Sequence, residues 1–202
     1  MNSRHRLSHR TCFAALLIAA QVFFTGSAVA DTGNDRLAAL FGGPWSLTDV
    51  KGQAVSEKTW LGQVVVLYFG YLSCPDICPT SLQTIAQALD ALGTTAAKVQ
   101  PLFVTVDPER DTSMRLADFT AQFHPRIIGL TGTPDQIASM TKAFRVSYRK
   151  VPDSSGKSYF IDHSSVVYLI DTGGKTAAVL GPETSADAMA AALGKLLPAS
   201  TN

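Results

Sequence analysis

"QVVVLYFGYLSCPDICPTSLQTIAQALDALG", residues 63–93, changes character halfway along. Residues 63–71 are a continuous apolar run rich in β-branched and aromatic side chains, the composition of a strand buried on both faces. After Cys74 and Cys78, each followed by a proline, Leu82, Ile85, Ala86 and Leu89 fall at helical spacing until Gly93. A fully buried strand feeding a helix is the repeating unit of an α/β sheet.

The same alternation continues downstream. "VQPLFVTVD" (99–107) predicts a second buried strand, "TSMRLADFTAQF" (112–123) a helix, and "RIIGLTG" (126–132) a third strand. "TPDQIASMTKAFRV" (133–146) predicts another helix, with Pro134 suited to its first turn. "SYFIDHSSVVYLID" (158–171) is strand material with a break expected near Asp162, and "VVYLIDTGGKTAAVL" (166–180) a hairpin adding an antiparallel edge. A helix over roughly residues 184–197 closes the chain, and upstream "PWSLTDVKGQAVS" (44–56) turns about Lys51-Gly52 as an N-terminal hairpin. Together these predict one α/β domain, a central and mostly parallel sheet covered by helices on both faces.

The first 30 residues belong to a different class. Arg4, Arg6 and Arg10 precede the apolar "CFAALLIAAQVFF", and "SAVAD" presents Ala28 and Ala30 in an A-x-A pattern. That arrangement predicts a secretory signal over residues 1–30, cleaved after Ala30, with the domain spanning 31–202 and exported to the periplasm. The alternative keeps the segment as an anchor in the inner membrane; the apolar run is short for that, since a span needs about 20 residues. Cleavage removes three of 17 basic residues and none of 16 acids, so the net charge falls from +1 to −2. Without a basic stripe to hold phosphates, nucleic acid is excluded as a partner. Cys12 leaves as well, and Cys74 and Cys78 are then the only cysteines.

Three readings of that pair compete. A structural disulfide is feasible at this spacing, yet closing so short a loop gains little entropy. Pro79 places the expected helix start at its own position, with Cys78 at the cap and Cys74 in the loop before it. Both thiols then sit at the carboxyl end of a buried strand beside a helix N-terminus, where open α/β sheets hold their sites and thiolate is favoured. That location suits redox exchange and metal binding alike.

Beyond the signal only His124 and His163 remain. His124, in "QFHPRI", reads as a capping or surface residue. His163 lies between strand-like segments beside Asp162, and a polar pair there needs a local reason. If its loop meets the cysteines, two thiolates and an imidazole converge, a donor set for Cu(I), Cu(II) or Zn(II) and not for calcium or magnesium. In "VTVDPERDT" (104–112), Asp111 or Thr112 reads as an N-cap, whereas Asp107 at the strand's end could line the site as a supporting or docking charge. Tyr71, Tyr159 and Phe160 read as packing. Met114, Met140 and Met189 are scattered and form no copper track.

"FGYLSCPDICPTSL", "FVTVDPERDT", "IIGLTGTPDQI", "FRVSYRKV" and "FIDHSSVVYLID", in this order, resemble the Sco/SenC family of copper-handling proteins for cytochrome c oxidase assembly. The match runs from about residue 41 to the end. The resemblance implies a thioredoxin-like fold, one copper bound by Cys74, Cys78 and His163, and an Asp162 that orients the site. It also implies a partner, the CuA centre of oxidase subunit II, to which copper is delivered or whose cysteines are kept reduced. A metallochaperone and a thiol–disulfide reductase acting on an exchange partner therefore share the same residues. Peroxidase chemistry fits poorly, since the surroundings of Cys78 lack the arginine and hydroxyl that peroxide reduction needs.

Overall fold

In the computed structural model, which describes residues 33–198, the run at 64–70 forms a strand buried at every position. Burial on both faces is what its unbroken apolar composition requires. The elements follow as α1 (Gly33–Leu40), β1 (Ser46–Asp49), β2 (Ala54–Ser56), β3 (Val64–Gly70), α2 (Ile77–Leu92) and a 3-10 segment (Gly93–Lys98). Then come β4 (Val99–Thr105), α3 (Ser113–Ala121), β5 (Ile128–Thr131), α4 (Pro134–Ala143), β6 (Tyr148–Pro152), β7 (Tyr159–His163), β8 (Val167–Ile170), β9 (Thr176–Leu180) and α5 (Ala186–Leu196). The expected signal segment lies outside the described residues.

Seven strands form one sheet in the order β2-β1-β5-β4-β3-β8-β9. β3, β4 and β5 are its parallel centre, joined through α2 and α3 as crossovers. The N-terminal hairpin forms as expected, with Leu47 opposite Val55, and β1 adds antiparallel to β5. The hairpin of β8 and β9 supplies an antiparallel edge in β9, while β8 itself runs antiparallel beside β3. β6 and β7 pair only with each other, as a separate two-stranded ribbon.

Aromatic side chains fill the centre. Tyr168 packs edge-on against Phe69 and Phe144 at 6.0 and 5.2 Å between ring centroids, and its hydroxyl donates to the Phe144 carbonyl at 2.8 Å. Each such side chain contributes about 1.5–3 kcal/mol through removal from water. α4 begins with Pro134 after Thr133, whose hydroxyl accepts from the Gln136 N–H while the Gln136 side chain accepts from the Thr133 N–H. This capping box satisfies two backbone donors that a helix start leaves free.

Two boundaries differ from the sequence expectation. α2 begins at Ile77, so Cys78 lies inside its first turn and Pro79 is its third residue. Proline lacks only a donor that any first-turn residue leaves unpaired, so it fits throughout that turn. The break in the 158–171 segment falls after His163, not at Asp162, which is a paired residue of β7 opposite Arg149.

The last residue of β3, Gly70, is a glycine for a steric reason. A Cβ there would lie 2.8 Å from Cys78 Sγ and 2.8 Å from Cε2 of Phe103. Gly70→Ala is expected to destabilise the fold by about 1–3 kcal/mol in urea unfolding, the cost of overpacking a filled site. Gly181→Ala, where a Cβ meets nothing within 4 Å, should stay within about 0.5 kcal/mol of wild type.

Candidate metal centre

Three elements converge at the carboxyl end of β3. Cys74 lies half-buried in the loop after it, Cys78 is fully buried in the first turn of α2, and His163 ends β7. Their ligand atoms all lie within 4.8 Å of one another, close enough to hold one metal ion. Residues 85 positions apart meet because the β6–β7 ribbon folds back over the sheet's end.

The histidine's tautomer follows from its partners. Nδ1 lies 3.0 Å from the Ser164 carbonyl, which can only accept, so Nδ1 carries the proton. Nε2 then faces Cys78 Sγ at 3.3 Å with its lone pair free. Fixing one ring nitrogen on a carbonyl and presenting the other is the usual preparation of a ligating imidazole. Tyr71 and Tyr68 stand edge-on to the ring at 5.8 and 6.4 Å between centroids and limit its rotation.

The two thiols are electrostatically unequal. The Cys78 thiol hydrogen-bonds to Cys74, and this chiefly holds Cys74 well below the ordinary thiol range, against a smaller opposing effect of burial. His163 and the backbone N–H groups of Cys78 and Asp76 add to the lowering. The Cys78 N–H, one of the donors left free at a helix start, points at Cys74 Sγ across 3.4 Å. Cys78 is pushed up, first by the same hydrogen bond and then by its burial. Cys74 is therefore the thiolate and Cys78 the protonated thiol that donates to it, with the Cys78 sulfur 3.3 Å from His163 Nε2. Burial chiefly raises the Tyr68 phenol as well, which remains a protonated donor.

The acidic residues singled out from sequence lie further back. Asp107 is buried and does not touch the sulfurs; its carboxylate accepts from the Tyr159 hydroxyl at 2.9 Å and pairs with Arg110. Arg110 also donates to the Tyr159 carbonyl at 3.0 Å and stacks 3.7 Å from the centre of that ring. This cluster pins β7, and hence His163, to the end of β4. Tyr159 is thus more than packing, and Arg110 is a residue the sequence reading missed. A D-P-E-R turn places an acid and a base three apart, but nothing local marks their partner 49 residues on.

Asp111 is not the helix cap; Thr112 is, accepting from the Arg115 N–H. Asp111 is buried, with its carboxyl pushed up by desolvation, and accepts from the Thr105 hydroxyl at 2.6 Å and the Leu72 N–H at 3.1 Å. It ties the cysteine loop to β4. Asp162 is exposed, and its carboxylate takes Nε and Nη2 of Arg149 at 3.1 and 3.0 Å. It contacts no sulfur, and the Ser164 carbonyl is the group that orients the ring. His124 accepts from the Arg126 N–H at 3.1 Å and caps a turn, as expected. An aromatic cavity of about 260 Å³ lined by Trp45 and Trp60 lies at the opposite end of β3, where Val65 forms part of its wall, and shares no residue with this centre.

The family model for SCO1/SenC matches residues 33–198. The chain belongs to the SCO1/SenC family. Its curated relatives include the mitochondrial SCO1 homolog of Homo sapiens, 39% identical over 138 residues, which cover 67% of this chain and 46% of that protein. The mitochondrial SCO2 homolog of Bos taurus is 43% identical over 141 residues, 69% of this chain and 53% of the relative. The chain thus spans about half the length of these two relatives. Among solved structures, Bradyrhizobium japonicum ScoI with copper bound aligns with TM-score 0.72 and 39% identity, over 78% of this chain and 99% of that one. Yeast Sco1 with copper bound aligns with TM-score 0.71 and 36% identity, over 79% and 91%. The SCO1/SenC fold is thioredoxin-like, as the resemblance implies. Among the described residues no helix is long and apolar enough to cross a membrane.

Because Cys74 is held low by a hydrogen bond from Cys78, its alkylation by iodoacetamide should remain fast at pH values well below an ordinary thiol's inflection near 8.5. Cys78→Ala removes that bond, so the inflection of the rate–pH profile should move upward. An unmoved inflection would contradict the assigned donor.

Proposed function

We propose that this chain is a periplasmic copper carrier that binds one copper ion through Cys74, Cys78 and His163 and passes it to the CuA site of cytochrome c oxidase subunit II. The observation that carries the reading is the convergence of two sulfurs and one pre-oriented imidazole nitrogen within 4.8 Å. Two soft donors and one borderline donor suit copper in both oxidation states. Zinc is compatible with the same donors, but the copper bound in the Bradyrhizobium japonicum and yeast relatives favours copper. Export follows from the N-terminal segment, cleaved after Ala30, with residues 31–202 as the mature domain.

Each ligand has a defined task. Cys78, buried and fixed by α2, is the anchoring sulfur. Cys74, already ionised and half-exposed, is the sulfur an incoming ion meets first. His163 adds the nitrogen that Cu(II) demands more than Cu(I) does. Asp107, Arg110 and Tyr159 hold that nitrogen in place from behind.

His163→Ala is expected to weaken Cu(II) binding at least tenfold more than Cu(I) binding, about 1.4 kcal/mol of selectivity. Competition titrations with chelators specific for each ion measure this, alongside copper content near one per chain in the wild type. Equal loss of both ions would contradict the ligand set.

The inequality of the thiols favours a second reading, reduction of a partner's disulfide. Cys74 is the accessible thiolate that attacks, and Cys78 the neighbour that resolves the mixed disulfide. Cys78→Ser should then trap a Cys74-linked partner, and exchange should survive His163→Ala. Exchange lost with His163 would assign the pair to copper alone.

A further inference from the structure

Tyr68 is fully buried, and among the described residues its hydroxyl has no partner within hydrogen-bond distance, although Ser81 and Cys78 stand beside it. Buried polar groups are nearly always paired, so an orphan calls for a reason. Tyr168, buried on neighbouring β8, shows the ordinary outcome: its hydroxyl donates to a carbonyl at 2.8 Å.

The position of Tyr68 supplies the reason. It stands two residues before Gly70 on β3, so both face the same side of the sheet. On that side Cys78 Sγ occupies the space beside Gly70, 2.8 Å from where a Cβ would be. The Phe103 ring, equally close to Gly70, packs 6.2 Å from the Tyr68 ring, and His163 stands edge-on to it. The unpaired hydroxyl therefore belongs to the floor of the metal centre, beneath its buried sulfur.

The Cys78 sulfur lies 3.3 Å from His163 Nε2, and a sulfur held by a metal as thiolate would be a stronger acceptor than a thiol. Resting on the copper-carrier reading, we propose that the Tyr68 hydroxyl donates to the Cys78 sulfur in the metal-bound state and biases the site toward Cu(I). A hydrogen bond withdraws charge from sulfur. Cu(I) leaves more negative charge on its thiolates than Cu(II), so the bond stabilises the Cu(I) form more. Tyr68 is thus a positioning residue that tunes ion preference without binding the ion.

Tyr68→Phe removes the hydroxyl and keeps the ring that packs on Phe103 and His163; near-UV circular dichroism checks that the fold persists. The sulfur-to-Cu(II) charge-transfer band of the variant is expected at lower energy than in the wild type. Its Cu(I) affinity should fall about tenfold more than its Cu(II) affinity, the scale of losing a supporting hydrogen bond behind a ligand. Ser81→Ala, removing the other hydroxyl that acts on Tyr68, should leave the band in place. An unmoved band and an unchanged affinity ratio in copper-loaded Tyr68→Phe would overturn this inference alone. A wild-type protein that takes up no copper would instead overturn the carrier reading on which it rests.

Discussion

The sulfur of Cys78 sits where a side chain at Gly70 would begin, and the rest of the centre is arranged around that contact. It fixes the distance between the end of β3 and the first turn of α2, which no larger residue at position 70 would allow. It also removes Cys78 from water, so its proton is held and is donated to the neighbouring Cys74 sulfur. Cys74, four residues earlier, receives that hydrogen bond and the backbone donors of the same turn and is left ionised. One packing constraint thus makes two chemically identical side chains into an anchored thiol and an exposed thiolate.

The third member is positioned by a different device. His163 ends a ribbon that pairs with no strand of the main sheet, so its location depends on side chains. Asp107 and Arg110, at the end of β4, grip Tyr159 at the start of β7 through a hydroxyl, a carbonyl and the face of its ring. A hydrogen bond to a charged group is worth about 1.5–3 kcal/mol, so these contacts outweigh the ribbon's exposed pairs, Arg149 with Asp162 and Lys150 with Glu109, worth about 0–1 kcal/mol each. The acids near the centre act through geometry. Asp107 locates the imidazole and Asp111 the cysteine loop, and neither needs to touch the ion.

Much of this was legible before any coordinates. The apolar runs at 64–70 and 99–105 are the strands expected, because burial on both faces leaves an unbroken hydrophobic signature. Pro134 after Thr133, with Gln136 beyond, marks a helix start by local chemistry alone. The start of α2 was misplaced because a proline is tolerated at any first-turn position, and Cys78 holds helical angles despite the proline after it. Long-range pairing left no local trace: nothing in residues 167–170 says that they lie antiparallel beside β3. The same holds for Tyr159, whose partners are 52 and 49 residues away, and for Asp111, whose acceptor role toward Leu72 resembles a helix cap from sequence alone. Local periodicity reports burial and turns, not which distant groups complete a polar cluster.

Binding tightly and releasing on contact are opposed demands, and the unequal burial of the ligands reconciles them for a carrier of the proposed kind. A partner's thiolate can approach only where the protein is open. Cys78 lies beneath the sheet's end, whereas Cys74 is half-exposed and His163 borders a shallow depression of about 220 Å³ with Ser147, Arg149, Asp162 and Ser164. Exchange must then begin at Cys74 or His163 and end at Cys78, so the ion keeps its most deeply held bond until the partner has supplied the others. The same order explains how oxidation would gate the site. A partner's disulfide attacked by Cys74 would give a mixed disulfide that Cys78 displaces, reducing the partner to its two thiols; the Cys74–Cys78 disulfide left behind would consume both sulfur ligands while leaving the imidazole untouched. A centre built this way loads only when reduced.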